Sequence, residues 1–105
     1  MTRYLSEESA AEDGYAIVHE AGEHRFTLTH RGEERGEAHY RLLGDTAIDF
    51  DHTVVAPAER GTGLAGLLAH RAVTSEIVRG RTVMASCWFI RDYLAKHPEL
   101  LDRSG

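Results

Sequence analysis

A single cysteine, Cys87, stands among 105 residues, which excludes an intramolecular disulfide framework. Basic excess is missing too. Twelve Lys and Arg face seventeen Asp and Glu, a net charge of -5, which argues against nucleic acid or an anionic membrane as the main partner. The deficit is local: residues 1–23 carry one basic and six acidic side chains, and the remainder balances. No apolar run is long enough to span a bilayer, and residues 1–8 lack the apolar core of a secretory signal, so a cytoplasmic protein is expected. The seven histidines (His19, His24, His30, His39, His52, His70, His97) contain no short paired ligand spacing, and no metal site is expected. Internal repeats and low-complexity tracts are absent. Hydrophobic residues at 42% and charged residues at 28% describe one small globular domain with a modest core.

Residues 1–14 are acidic and small-residue rich, and read as a flexible lead-in to a domain of residues 15–105. A short first strand is expected at residues 15–19. Period-two alternation then places Phe26, Leu28 and His30 on one face, and Ala38, Tyr40 and Leu42 on one face of the next run. A third run groups Ile48, Phe50, His52 and Val54 opposite Asp49, Asp51 and Thr53. Gly32 and Gly44 mark the turns of an antiparallel meander. A helix over residues 62–79, capped by Gly80, a short buried strand over 82–86 and a second helix over 89–96 complete the order. The fold class is α/β (α+β): a mixed, mainly antiparallel sheet with two helices packed on it.

The most informative stretch is Val54-Val55-Ala56-Pro57-Ala58-Glu59-Arg60-Gly61-Thr62-Gly63-Leu64-Ala65-Gly66, a strand end, a proline turn and a glycine-rich loop opening a helix. Gly61 and Gly63 admit unusual dihedrals and close approach of a ligand, and amides at a helix N-terminus attract phosphate. The loop is a candidate anion cradle. Its GxGxxG string is not a dinucleotide fingerprint: five residues, one of them proline, separate Val55 from Gly61, and no acid follows the next strand before Asp92. It is not a P-loop either, because Leu67 and Leu68 stand where Lys-Ser or Lys-Thr is needed.

Arg60-Gly61-Thr62-Gly63-Leu64-Ala65 has the form R-x-x-G-x-A, and it resembles the acyl-CoA pyrophosphate loop of the GNAT superfamily of N-acetyltransferases. His52-Thr53-x-Val55 before the loop, and Cys87-Trp88-Phe89, Tyr93 and Lys96-His97-Pro98-Glu99 after it, resemble the compact YjdJ-type branch. The resemblance covers roughly residues 26–101. Trp88 departs from the small residue of that branch, which bears on the shape of the acceptor pocket. The resemblance implies acetyl-CoA as co-substrate, held by Arg60, Gly61, Thr62, Gly63, Leu64 and Ala65, with Val54 and Val55 beside the pantetheine arm. The acetyl group would lie between diverging strands and pass directly to an amine, either a small molecule or a protein group.

Three side chains are candidates for the chemistry, each with a plainer reading. Tyr93 either protonates the departing thiolate or packs as a helix aromatic. Cys87 either relays the acyl group or lines the pocket as a small hydrophobe. His52 either deprotonates the acceptor or is a hydrogen-bonded core residue, with Asp49 or Asp51 acting through water as alternatives. His97, before Pro98, ends the last helix. Two rivals to the transferase predict different behaviour: an acetyl-CoA sensor or interaction module binds without turnover, and a purely structural domain binds nothing.

Overall fold

The computed structural model describes residues 3–100. Helix α1 (Glu7–Glu12) precedes four strands, β1 (Tyr15–Glu20), β2 (Arg25–His30), β3 (Glu33–Leu43) and β4 (Ala47–Val55). Helix α2 (Leu64–Val73), strand β5 (Thr82–Ala85) and helix α3 (Trp88–Lys96) follow. The sheet order is β1-β2-β3-β4-β5, antiparallel except for the parallel β4–β5 pair. This is the expected mixed α+β sheet, with three helices among the described residues where two were read from the sequence.

One sheet face makes the core. Phe26, Leu28, Tyr40, Ile48 and Phe50 bury against Leu64, Leu68, Ala69 and Ala72 of α2 and Ile90 and Leu94 of α3. Spacings of four residues along α2 give the stripe that this burial needs. Arg71, which the helical period places beside that stripe, is accommodated by an ion pair with Glu7 of α1. The other sheet face is polar, with Arg25 bonded to Glu20 and Glu37, and Arg41 to Asp49.

Three expectations are corrected. The acidic segment read as a flexible lead-in contains α1, capped by Ser6 through Ser9 and docked by buried Tyr4 and Ala10. The amides of Arg3 and Tyr4 both donate to Thr62 O at 2.8 Å, which ties this segment to the glycine loop. Second, α2 stops at Val73 rather than near residue 79. Thr74 Oγ1 and Ser75 Oγ donate back to the carbonyls of His70 and Ala72, and a 3-10 turn follows, so Gly80 (φ 73°) leads into β5 instead of capping the helix.

Third, the faces of β4 change part-way along. The β3–β4 register steps from Tyr40↔Phe50 to His39↔His52, leaving Asp51 as an extra residue in a β-bulge. One added residue reverses parity. Beyond the bulge Val55 is buried while His52 and Val54 are exposed, so His52 does not share a face with Ile48 and Phe50.

Candidate functional site

Strand β5 pairs with β4 only from Ala47↔Thr82 to Phe50↔Ala85, and the Cys87 amide donates to Phe50 O as a last link. The chain then turns into α3, and residues 51–55 of β4 run on with an open edge. That edge forms one wall of a cleft of 380 Å³ lined by Thr53, Val54, Val55, Arg60, Gly61, Ala65, Trp88 and Phe89. Trp88 is 73% exposed at its rim. Gly36 of β3, opposite Val55, lets the strands close up here: a Cβ would lie 2.9 Å from Val54 O.

The glycine loop closes one end of the cleft. Pro57–Glu59 make a 3-10 turn, and Gly61 (φ 78°) and Gly63 (φ 96°) take left-handed conformations that a β-carbon would strain. Thr62 Oγ1 donates to Glu59 O and accepts from the Leu64 amide. The amides of Gly61, Gly63, Ala65 and Gly66 have no hydrogen-bond acceptor among the described residues. They are four donors at the start of α2, where the helix dipole adds positive potential. Such a turn fits a phosphate chain. Arg60 lies on the cleft wall, its Nε directed at Val55 O at 3.4 Å.

Beneath the loop is a charge that sequence reading passed over. Glu59 is buried and bonded by Tyr15 Oη and by Arg35 Nε and Nη2. Burial pushes its carboxyl up, but the bonds from Arg35 and Tyr15 outweigh that and hold it below the usual carboxylate range. The fixed anion is matched by Arg35, so it anchors the turn without opposing an anionic ligand.

A second buried carboxylate holds the point of divergence. Asp49 is 2% exposed and accepts from the Ser86 amide at 2.8 Å, Ser86 Oγ at 2.6 Å and Arg41 Nη2 at 3.1 Å. Burial raises its pKa, and these bonds more than reverse the effect, so it stays ionised. The sequence showed Asp49 as a polar alternation position; nothing local indicated Ser86, 37 residues away, as its partner.

The other predicted residues are spread over several environments. Val54, Val55, Arg60, Gly61 and Ala65 line the cleft together, with Gly63 and Leu64 behind them at the start of α2. Cys87 is half-buried at the N-cap of α3, packed against the core. Tyr93 is not among the residues of that cleft. It lines a wider groove of 690 Å³ with Gly63, Gly66, His70 and His97, its hydroxyl 3.0 Å from His70 Nδ1 and its ring 4.4 Å from that of His97. Burial, then the charge of Glu99, raises its phenol above the ordinary value, so it holds its proton at neutral pH. The start of α2 separates the two recesses, Gly61 and Ala65 on one side and Gly63 and Gly66 on the other. Among the described residues no three His, Cys, Asp or Glu gather as metal ligands.

An open strand edge beside a glycine loop with four amides unpaired among the described residues has the shape and donors that suit an extended ligand ending in phosphates. Residues 25–103 match the sequence profile described as GCN5-related N-acetyl-transferase. The chain belongs to that family. Among curated proteins it is similar to Protein NATD1 of Homo sapiens, 29% identical over 83 residues that cover 78% of this chain and 74% of the relative. Protein NATD1 of Mus musculus is 29% identical over 93 residues, covering 86% and 84%. The chicken protein of the same name, from Gallus gallus, is 29% identical over 83 residues, covering 78% and 76%. Membership of the N-acetyltransferase family accords with the open β4 edge and makes acyl transfer the chemistry to consider first.

Proposed function

We propose that this chain transfers an acetyl group from acetyl-CoA to an amine by direct attack. The observation that carries this reading is the separation of β4 from β5 after Phe50, with the resulting cleft ending at the free amides of the glycine loop. The CoA pyrophosphate fits the amides of Gly61, Gly63, Ala65 and Gly66, supported by Arg60 and the α2 dipole. The pantetheine arm has amide groups that suit the unpaired edge of β4 at Val54 and Val55, and the thioester then reaches the point of divergence near Cys87. An unprotonated amine attacks the carbonyl carbon, and the C–S bond breaks with the electron pair leaving on sulfur. Orientation in the cleft supplies most of the acceleration.

Tyr93 is the proton donor to that sulfur in this reading, His70 directing its hydroxyl, and Cys87 lines the acyl site. Direct transfer needs no acyl-enzyme, and the Cys87 side chain packs with the core. His52 stands exposed beyond the bulge, where it can meet an acceptor. A second reading, binding without transfer, draws support from one observation: the Tyr93 hydroxyl is engaged by His70 outside the Val54 cleft. It predicts acetyl-CoA affinity with no amide product.

Thermal melting with acetyl-CoA tests the binding step. Ligand at a hundred times its Kd adds about 2.7 kcal/mol, which raises Tm on the order of 10 °C in a domain this small. Gly61→Asp suits the control: a Cβ there meets nothing within 4 Å, aspartate is among the residues least strained at positive φ, and its charge opposes the pyrophosphate. A melting curve without ligand checks that the variant folds. A shift in the native protein that disappears in this variant supports the loop assignment. No shift at saturating acetyl-CoA sinks both readings. An amide product with any amine separates the transferase from the binding module.

A further inference from the structure

The bulge that removes His52 from the core face brings a different histidine into play. Asp51 has no β3 residue opposite it, and its carboxylate turns onto the polar face of the sheet. There its Oδ1 accepts from His39 Nδ1 at 2.8 Å. A carboxylate only accepts, so in the neutral ring this bond sets the tautomer: Nδ1 carries the proton and Nε2 presents a lone pair. Among the described residues Nε2 has no hydrogen-bond partner, and the imidazole is half-exposed. His52, by contrast, makes no side-chain hydrogen bond among the described residues that would orient its ring.

The position of the pair matters as much as its geometry. Phe50 is the last β4 residue with a β5 partner, so Asp51 is the first residue of the open edge. Arg41 joins the two acidic groups of this strand: its Nε lies 3.5 Å from Asp51 Oδ2, and its Nη2 donates to Asp49, which holds Ser86. A continuous polar chain therefore runs from Ser86, at the point of divergence, to the His39 ring. The other charged or titratable neighbours are Arg25 of β2, beside His39 in register and held by Glu20, Glu34 and Glu37, Glu37 itself on β3, and His52 opposite on β4.

Resting on the reading of this chain as an amine acetyltransferase, we propose that His39, oriented by Asp51, is the general base for the acceptor. The acceptor ammonium gives a proton to His39 Nε2, and the freed nitrogen lone pair forms the C–N bond to the thioester carbonyl carbon. The C–S bond breaks with its electron pair on sulfur. The second nitrogen proton, lost as the tetrahedral species collapses, passes through solvent or a phenol to that thiolate. The imidazolium then releases its proton to water. The balance is one ammonium and one thioester converted to one amide, one thiol and one proton.

The test uses spermidine, benzylamine and a lysine-containing peptide as probe amines, with kcat/KM measured against pH for the native protein, His39→Gln and Asp51→Asn. Calorimetric titration with acetyl-CoA and a melting curve accompany each variant. His39→Gln is expected to lower kcat/KM by about 10²–10⁴-fold, the range for loss of a general base, with unchanged acetyl-CoA affinity and an altered pH profile. Asp51→Asn should lower kcat/KM by a smaller factor than His39→Gln, and nitrogen NMR should report loss of the single Nδ1–H tautomer of His39. A His39→Gln protein that acetylates a probe at the native rate with the native pH profile overturns the assignment while leaving the transferase intact. Acetyl-CoA binding with no product from any probe, or no binding, overturns the transferase reading and the base with it.

Discussion

Residues 47–50 of β4 are flanked by β3 and β5, whereas residues 52–55, beyond the bulge, have β3 alone. The first segment buries Ile48, Phe50 and even the carboxylate of Asp49; the second leaves His52 and Val54 exposed. Within one strand, a part that holds the fold together passes into a part whose edge is unoccupied, and the bulge at Asp51 marks the change. Paired backbone has its hydrogen bonds satisfied and little left to offer a ligand. Unpaired backbone can bind an extended one.

Substitutions along the strand sharpen the contrast. The largest effect is expected for Phe50→Ala, which empties a wholly buried site and costs about 3–5 kcal/mol. Val54→Ala, at a side chain 43% exposed, should stay within about 1 kcal/mol and instead weaken acetyl-CoA binding. Chemical denaturation and calorimetric titration on both variants check the pair; equal stability losses would break the comparison.

Next is Asp49→Ala, which removes the acceptor of the Ser86 amide and hydroxyl and of the Arg41 guanidinium. Arg41 is 59% exposed and also pairs with Asp51, and Ser86 is exposed, so both can turn to water. A loss of about 1–2 kcal/mol is expected, the worth of charge-assisted hydrogen bonds whose donors are exposed. The same group gives the acid response its sign. Asp49 and Glu59 have folded-state pKa values below the ordinary carboxylate range, so their contribution is fully present above the unfolded carboxylate pKa. It is lost as pH falls through the lower folded values. Tm should therefore hold down to about pH 5 and then fall as pH drops below about 4. A Tm insensitive to acid would mean that these carboxylates are not held as described.

The smallest stability effect belongs to the rim of the cleft. Trp88→Ala removes an exposed ring and should change stability by no more than about 0.5 kcal/mol. A widened cleft mouth should appear as an altered KM for bulky amines, read from initial rates, with acetyl-CoA affinity retained.

Much of this was legible from the chain. Alternation in residues 25–43 and glycines at the turns specified an antiparallel meander, because side-chain period and turn chemistry are local properties. The glycine loop announced itself through Pro57, Gly61 and Gly63, whose backbone preferences need no distant partner. Helix α1 carried a signal that the acidic composition masked: Ser6 and Ser9 bracket two glutamates as a capping box. The C-terminus of α2 lay in Thr74 and Ser75, hydroxyls able to take the final carbonyls, although Gly80 drew the boundary further on.

His52 and His39 show where such reading stops. Alternation counts residues, and the bulge adds one to β4 without altering the residue types around it, so every face assignment after Asp51 was reversed. Sequence by itself determined the order of elements from β1 onward and the glycine turn that precedes α2, since each follows from neighbours a few positions apart. Tertiary structure alone decided that Asp49 meets Ser86, that Glu59 meets Arg35 and Tyr15, that Tyr93 meets His70, and that β4 continues past its partner. Those pairings join residues 23 or more positions apart, and chain packing rather than local preference sets which side chains share a face.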